Sequence, residues 1–274
     1  KHQEADGHWD TAKYGGKTDC DTSMAGFGLL AFLGAGHTQK VGKYKDNVSR
    51  GIDWLIKKQL PNGCLASKGE SQGYNHAIAG MALAEAAGMG RDSFTKEAAQ
   101  KALEYSVDIH QCGEGSDKRG WRYKIHQEGD LSNSGWFVMQ LKSAKVAGLK
   151  VPHGGFEGAA WFLDHVEDKT FAKDANNVYD NGRHRYGYTS GPGQVSHRRT
   201  AIGCLSRQFM GVKQEELQGG VEWFVEKGGL PGKGKVDLYY WYYGTLCCFQ
   251  QGGDIWKKWN DGLKPALLDS QCKA

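Results

Sequence analysis

Five times along the chain's 274 residues, a small-residue-rich apolar segment ends at glycine and is followed by a second segment built on one template. The second segments read Gly51-Ile-Asp-Trp-Leu55, Ala102-Leu-Glu-Tyr105, Gly158-Ala-Ala-Trp-Phe162, Gly220-Val-Glu-Trp-Phe224 and, more weakly, Gly262-Leu263. Self-similarity at a spacing of roughly 50 residues is the signature of a repeat architecture, in which each unit buries its apolar face only against its neighbours. A chain of this kind has few folds open to it.

The first member of each pair reads as a helix buried on most sides. These segments are Thr22 to Leu33, Asn75 to Ala87, Ser132 to Ala147, Arg199 to Met210 and Tyr239 to Gln251, all poor in charge and rich in Gly, Ala, Leu and Met. Each stops at glycine, which accepts the left-handed conformation that closes a helix. The second members are amphipathic: Val48, Ile52, Leu55 and Ile56 share one stripe, as do Leu217, Val221, Phe224 and Val225, with Lys57, Lys58, Glu222 and Glu226 opposite. A buried helix followed by a one-sided helix, repeated, predicts an inner and an outer layer.

Composition narrows the function classes. A net charge of +4 is too mild to indicate nucleic acid as a partner, and no apolar run reaches the ~18 residues of a membrane span. Forty glycines are roughly twice the usual share, and most fall at the ends of the helical segments or in the connecting loops. Seven cysteines, three of them (Cys204, Cys247, Cys248) inside inner segments, read as free thiols with no disulfide framework. The chain opens inside a motif, so a piece of a longer protein, with further domains as partners, is the expectation.

The Gln3-x-x-Asp-Gly7-x-Trp9 phrase, the helical pairs and Gly129-Asp-Leu-Ser-Asn-Ser-Gly-Trp136 resemble the terpenoid-cyclase and protein-prenyltransferase superfamily, most nearly the squalene-cyclase-like repeat proteins of bacteria. The likeness covers essentially the whole chain. It implies an all-α, α/α-toroid fold: one domain over 1–274, a double ring of about five helical hairpins, with no sheet beyond a small hairpin between 170 and 195. It also implies that inner-helix N-termini gather at one mouth of a central cavity.

Candidate site residues follow from that placement. Asp19, Asp21, Asp130, His76, His197 and Tyr240 stand at inner-segment starts as candidate catalytic groups, with Trp136, Tyr239 and Trp241 as candidate lining. For Asp and Ser the competing role is helix capping, since these residues satisfy free backbone N–H groups there. Class II cyclases of the superfamily carry Asp-x-Asp-Asp-Thr, whose middle Asp protonates an alkene. Aligned on Thr22, this chain has Cys20 at that position, and an ordinary thiol with a pKa of about 8.5 cannot protonate an isolated alkene. The zinc prenyltransferases use an Asp and a Cys one residue apart plus a later His. Asp19 and Cys20 are adjacent and the last inner segment offers tyrosine or tryptophan instead of His, so no metal and no cofactor are expected. Asp108, His110 and Cys112 alternate as three potential ligands, too few for a closed site. Gln111-Cys-Gly-Glu-Gly115 lacks the final Gln of a thioester motif.

Between the third and fourth repeats lies a long polar stretch containing Arg183-His-Arg185, and Arg198-Arg199 follow at the next inner start. Four guanidiniums near one rim suit a diphosphate, a carboxylate or a sulfated sugar, the competing role being a solvated basic loop. The functional expectation is an isoprenoid-like or anion-headed small-molecule ligand in a squalene-cyclase-like scaffold that lacks an intact acid motif. The alternatives are a non-catalytic protein-interaction module and a toroid polysaccharide lyase.

Overall fold

The computed structural model describes residues 2–17, 19–66, 72–114, 117–169, 184–191, 193–232 and 236–271. They form ten α-helices: α1 (Asp21–Gly34), α2 (Lys45–Lys58), α3 (Gln72–Gly90), α4 (Ser93–Glu104), α5 (Leu131–Val146), α6 (Gly155–Val166), α7 (His197–Phe209), α8 (Gln214–Gly228), α9 (Leu238–Gln251) and α10 (Gly253–Ser270). Among the described residues there is no strand, only one antiparallel bridge joining Glu167 and Tyr186; most of the 170–195 segment, where a small hairpin is expected, lies outside the described residues. The chain divides into two compact units, Lys1–Trp161 and Phe162–Ala274, with the division inside α6.

In the first unit α3 packs between α1 and α5, and α4 covers α3. Small residues set these close approaches. At Gly26 of α1, a Cβ would stand 3.0 Å from the Ile78 carbonyl of α3. α3 is buried nearly throughout, from Ala77 and Ile78 to Ala86 and Ala87. α2 instead buries Val48, Ile52, Trp54 and Leu55 while its charged side stays in water. In the second unit α7 packs on α9, backed by α8 and α10. Gly203 lies under the Tyr186 ring, and Gly244 lies under the Trp259 indole.

In the first unit, the glutamine that opens each repeat tail is a clasp onto the next outer helix. Gln3 Nε2 donates to Gly7 O (2.8 Å) and to Asn47 O of α2 (2.8 Å). Gln59 Nε2 donates in the same way to Gly63 O (3.1 Å) and Ala98 O of α4 (2.9 Å). Gln111 Nε2 reaches Arg119 O (2.7 Å) and Gly154 O at the start of α6 (3.2 Å). One carboxamide thus satisfies carbonyls on its own turn and on the next helix, which fixes the step from one repeat to the next.

The template's small residue is the seat of this tail. A Cβ on Gly158 would stand 2.4 Å from Gln111 Nε2. Among the described residues of the second unit no glutamine plays this part. The His184 carbonyl sits at Gly220 instead, and the Pro231 carbonyl at Gly262, 2.6 and 2.5 Å from where a Cβ would be. Side-chain contacts secure the substitute tail: ion pairs of Arg185 with Asp168 at 2.7 Å and of Arg207 with Asp164 and Glu167, and a hydrogen bond between His184 Nδ1 and Glu167.

Candidate functional site

The inner-helix starts are polar, and the structure shows what each polar group holds. Asp130, fully buried, caps α5: Oδ1 accepts from Asn133 N–H at 2.8 Å and from Ser132 Oγ at 2.8 Å, and Oδ2 accepts from Asn133 Nδ2 at 2.9 Å. Ser196 caps α7 through Arg199 N–H, and Asp237 caps α9 through Tyr240 N–H. Capping is thus the observed role of these three. Replacing Asp130 with alanine strands the Asn133 donors in a dry site, and we expect a loss of about 2 kcal/mol or more, read as a lowered urea midpoint.

Asp21 does a related job outside its own helix. Its Oδ1 accepts from Thr11 N–H (3.0 Å) and Thr11 Oγ1 (2.7 Å), pinning the preceding segment to the start of α1. The same joint recurs with other residue types. Leu65 N–H donates to His76 Nδ1 (3.0 Å), Trp121 N–H to Ser134 Oγ (2.9 Å), and Tyr186 N–H to Thr200 Oγ1 (3.2 Å). In each case an early inner-helix side chain accepts the backbone of the incoming tail.

His76 is therefore a joint residue. Where the sequence offers it to a cavity, the structure places it fully buried in the core of the first unit. Nδ1 accepts, so Nε2 carries the proton, donating to Ala102 O at 3.0 Å beside Ser106 Oγ at 2.9 Å. Burial, reinforced by nearby His110, pushes its pKa down to about 3. The imidazole is neutral and enclosed, with both nitrogens engaged, so it has no lone pair to offer a substrate. Tyr240 is also buried; its hydroxyl lies 3.0 Å from Phe224 O and 3.1 Å from Gly229 O, tying α9 to the end of α8, and burial pushes its pKa far above the usual phenol range.

The candidate lining aromatics divide. Trp136 and Trp241 are buried, and Trp136 meets Phe27 edge-on at 5.4 Å, so α1 and α5 touch through these rings. Tyr239 is exposed and packs against Tyr243 at 5.2 Å. Asp19 is half-buried; its carbonyl accepts from Asn75 Nδ2 at 2.5 Å, and its carboxylate faces the Cys20 thiol at 3.6 Å. Among the described residues no three His, Cys, Asp or Glu side chains come together as a metal site. His110, one of the alternating trio, is buried and bonded to Arg122 O at 2.8 Å.

The cationic candidates also divide. Arg183 lies outside the described residues. Arg185 is directed into the outer layer, against Asp168 and over the Trp223 ring at 5.5 Å. Arg198 and Arg199 stand in the first turn of α7. Arg198 pairs with Asp237 (2.5 Å), while Arg199 donates to Gln194 O and lies over the Tyr188 ring at 5.2 Å. Burial raises the Asp237 pKa, but Tyr240 N–H and Arg198 outweigh it and hold the carboxyl below the usual range. His197 meets Tyr240 edge-on at 4.8 Å.

The sequence did not point to Trp121, which is fully buried: it stacks on Phe137 at 5.1 Å and donates from Nε1 to Ser106 O at 2.7 Å. It lies in a tail without periodicity, so only the joint pattern could have located it.

No family model matches the chain, and neither does any curated protein. Among solved structures, an α-amylase from Clostridium perfringens is similar to it, with a TM-score of 0.57 and 14% identity over 88% of this chain and 73% of that one. At this identity the likeness shows the fold alone, which is all-α and of the α/α-toroid class. The squalene-cyclase resemblance rests on the motifs themselves.

Proposed function

We propose that the chain is a ligand-binding α/α-toroid domain that grips an anion-headed, isoprenoid-like molecule at the start of α7 and does not cyclise it. The observation that carries this reading is the pair Arg198 and Arg199 in the first turn of a 13-residue helix. A guanidinium has five N–H donors, so the ties to Asp237 and Gln194 exhaust neither side chain. The helix N-terminus adds positive potential, and together they suit a phosphate or carboxylate. Exposed Tyr239 offers an apolar face to the rest of the molecule.

The groups that acid–base turnover would need are engaged elsewhere. Asp21 holds Thr11, Asp130 is a buried cap, and Cys20 stands where a cyclase acid belongs. A polysaccharide lyase needs a free His or Tyr base, and the engagement of His76 and Tyr240 weighs against it.

Calorimetric titration with farnesyl diphosphate tests the reading. Saturable binding is expected, with competition by inorganic diphosphate and affinity weakened about tenfold in Arg199→Ala, the scale of one lost charge-assisted hydrogen bond. Absence of saturable binding would favour the protein-interaction reading instead.

A further inference from the structure

The second unit carries a groove of about 460 Å³ between α8 and α10, at the end of α9 and away from their tails. This is within the size range of small-molecule sites, roughly 300–1,000 Å³. Its apolar side is half-buried Ile255, backed by the buried Val221. Its polar sides are Glu222 from α8, and Asp254 and Lys258 from α10.

These three charges are exposed, and among the described residues none enters an ion pair. Asp254 and Lys258 stand one helical turn apart, a spacing that commonly pairs opposite charges, yet they remain separate. Gln218 Nε2 donates to Glu222 Oε1 at 2.8 Å, which orients that carboxylate. Gln251 forms a fixed wall: Nε2 donates to Gln214 O at 2.9 Å, and Oε1 accepts from Gln208 Nε2 at 3.1 Å. The orienting bonds are thus made within the chain, and the charged ends are left toward the groove.

The mixture of signs selects a ligand class. A simple anion meets two carboxylates, and a simple cation meets Lys258. A neutral molecule with several hydroxyls uses all three groups: its O–H groups donate to Glu222 and Asp254, and it accepts from Lys258. Half-buried Ile255 then takes a C–H face. We propose that this groove is a saccharide-binding site, separate from the anion grip on α7.

Saturation-transfer NMR on the full chain, with maltotriose and cellotriose as probes and putrescine and acetate as charged controls, tests it. The expected result is saturable binding of at least one trisaccharide, weakened about tenfold by Asp254→Ala and by Glu222→Ala, each removing one charge-assisted hydrogen bond. Ile255→Trp, which fills the groove from a half-buried position, should abolish it, while Arg199→Ala leaves it unchanged. Both carboxylate positions are exposed, so these variants are expected to keep the wild-type melting temperature. No saturation by either sugar, saturation indifferent to the three groove variants, or saturation by putrescine or acetate alone would each overturn the proposal. Loss of saccharide binding in Arg199→Ala would place the sugar on α7 and overturn it as well.

Discussion

Gly63→Ala is expected to lower the stability of the first unit by roughly 2–5 kcal/mol, among the largest effects of any single-methyl change. Two causes add. Gly63 has φ +91°, where an L side chain is strained by about 1–2 kcal/mol. Its Cβ would also stand 2.2 Å from Lys101 O of α4, a backbone atom that cannot rotate away. Relieving that clash lifts the tail off α4 and breaks the Gln59 bond to Ala98 O, adding about 1–3 kcal/mol. Gly148 separates the causes: it has φ +72° with nothing within 4 Å of a built Cβ. Gly148→Ala should therefore lose only the roughly 1–2 kcal/mol of backbone strain. Urea midpoints of the two variants measure the difference, and equal losses would mean that the clasp contributes nothing.

Acidification should destabilise the first unit through His76. A base whose folded pKa is depressed leaves the unfolded chain binding more protons, so stability present above the unfolded pKa is lost as pH falls below it. For His76 the window runs from the ordinary value of 6.5 down to about 3, set chiefly by burial. His110, also pushed down by burial, to about 4, acts over the upper part of the same window. Each contributes a slope of up to about 1.4 kcal/mol per pH unit. In His76→Gln, whose carboxamide can accept from Leu65 and donate to Ala102, stability should fall less steeply between pH 6 and 4, by roughly one proton's worth. Urea midpoints across that range decide it. An unchanged slope would mean that His76 reaches solvent, and the joint assignment would fall with it.

The inner helices were legible because two independent signals agree at each of them, an apolar small-residue run and a terminal glycine. Their observed ends fall within three residues of those expected, as for Thr22 to Leu33 against Asp21–Gly34 and Asn75 to Ala87 against Gln72–Gly90. The fifth outer helix was only weakly legible because Pro265 replaces the template's aromatic, yet α10 runs 18 residues through it. The π-helical turn Tyr105–His110 at the end of α4 carries no signature in the sequence, since its residues also suit an α-helix.

At the inner-helix starts, the caps Asp130, Ser196 and Asp237 were readable, because a side chain that satisfies its own helix start is a local matter. The joints were not. His76, Ser134 and Thr200 share a role and no chemistry beyond accepting one N–H, and the donors Leu65, Trp121 and Tyr186 lie 11 to 14 residues earlier in the chain. A histidine in that series looks like a reactive group until its partners are known. The arginines illustrate the reverse case: Arg185 and Arg199 look alike in sequence, and only packing assigns one to Asp168 and Trp223 and the other to the α7 start.

The most direct test of a toroid that binds without cyclising is incubation of the protein with squalene, oxidosqualene and diphosphorylated isoprenoids, with products read by mass spectrometry. The predicted result is recovery of every substrate unchanged, alongside saturable binding of the diphosphates that weakens in Arg199→Ala. A cyclised product that disappears in Asp21→Asn would contradict it, because Asp21 would then be a working acid and not the anchor of Thr11.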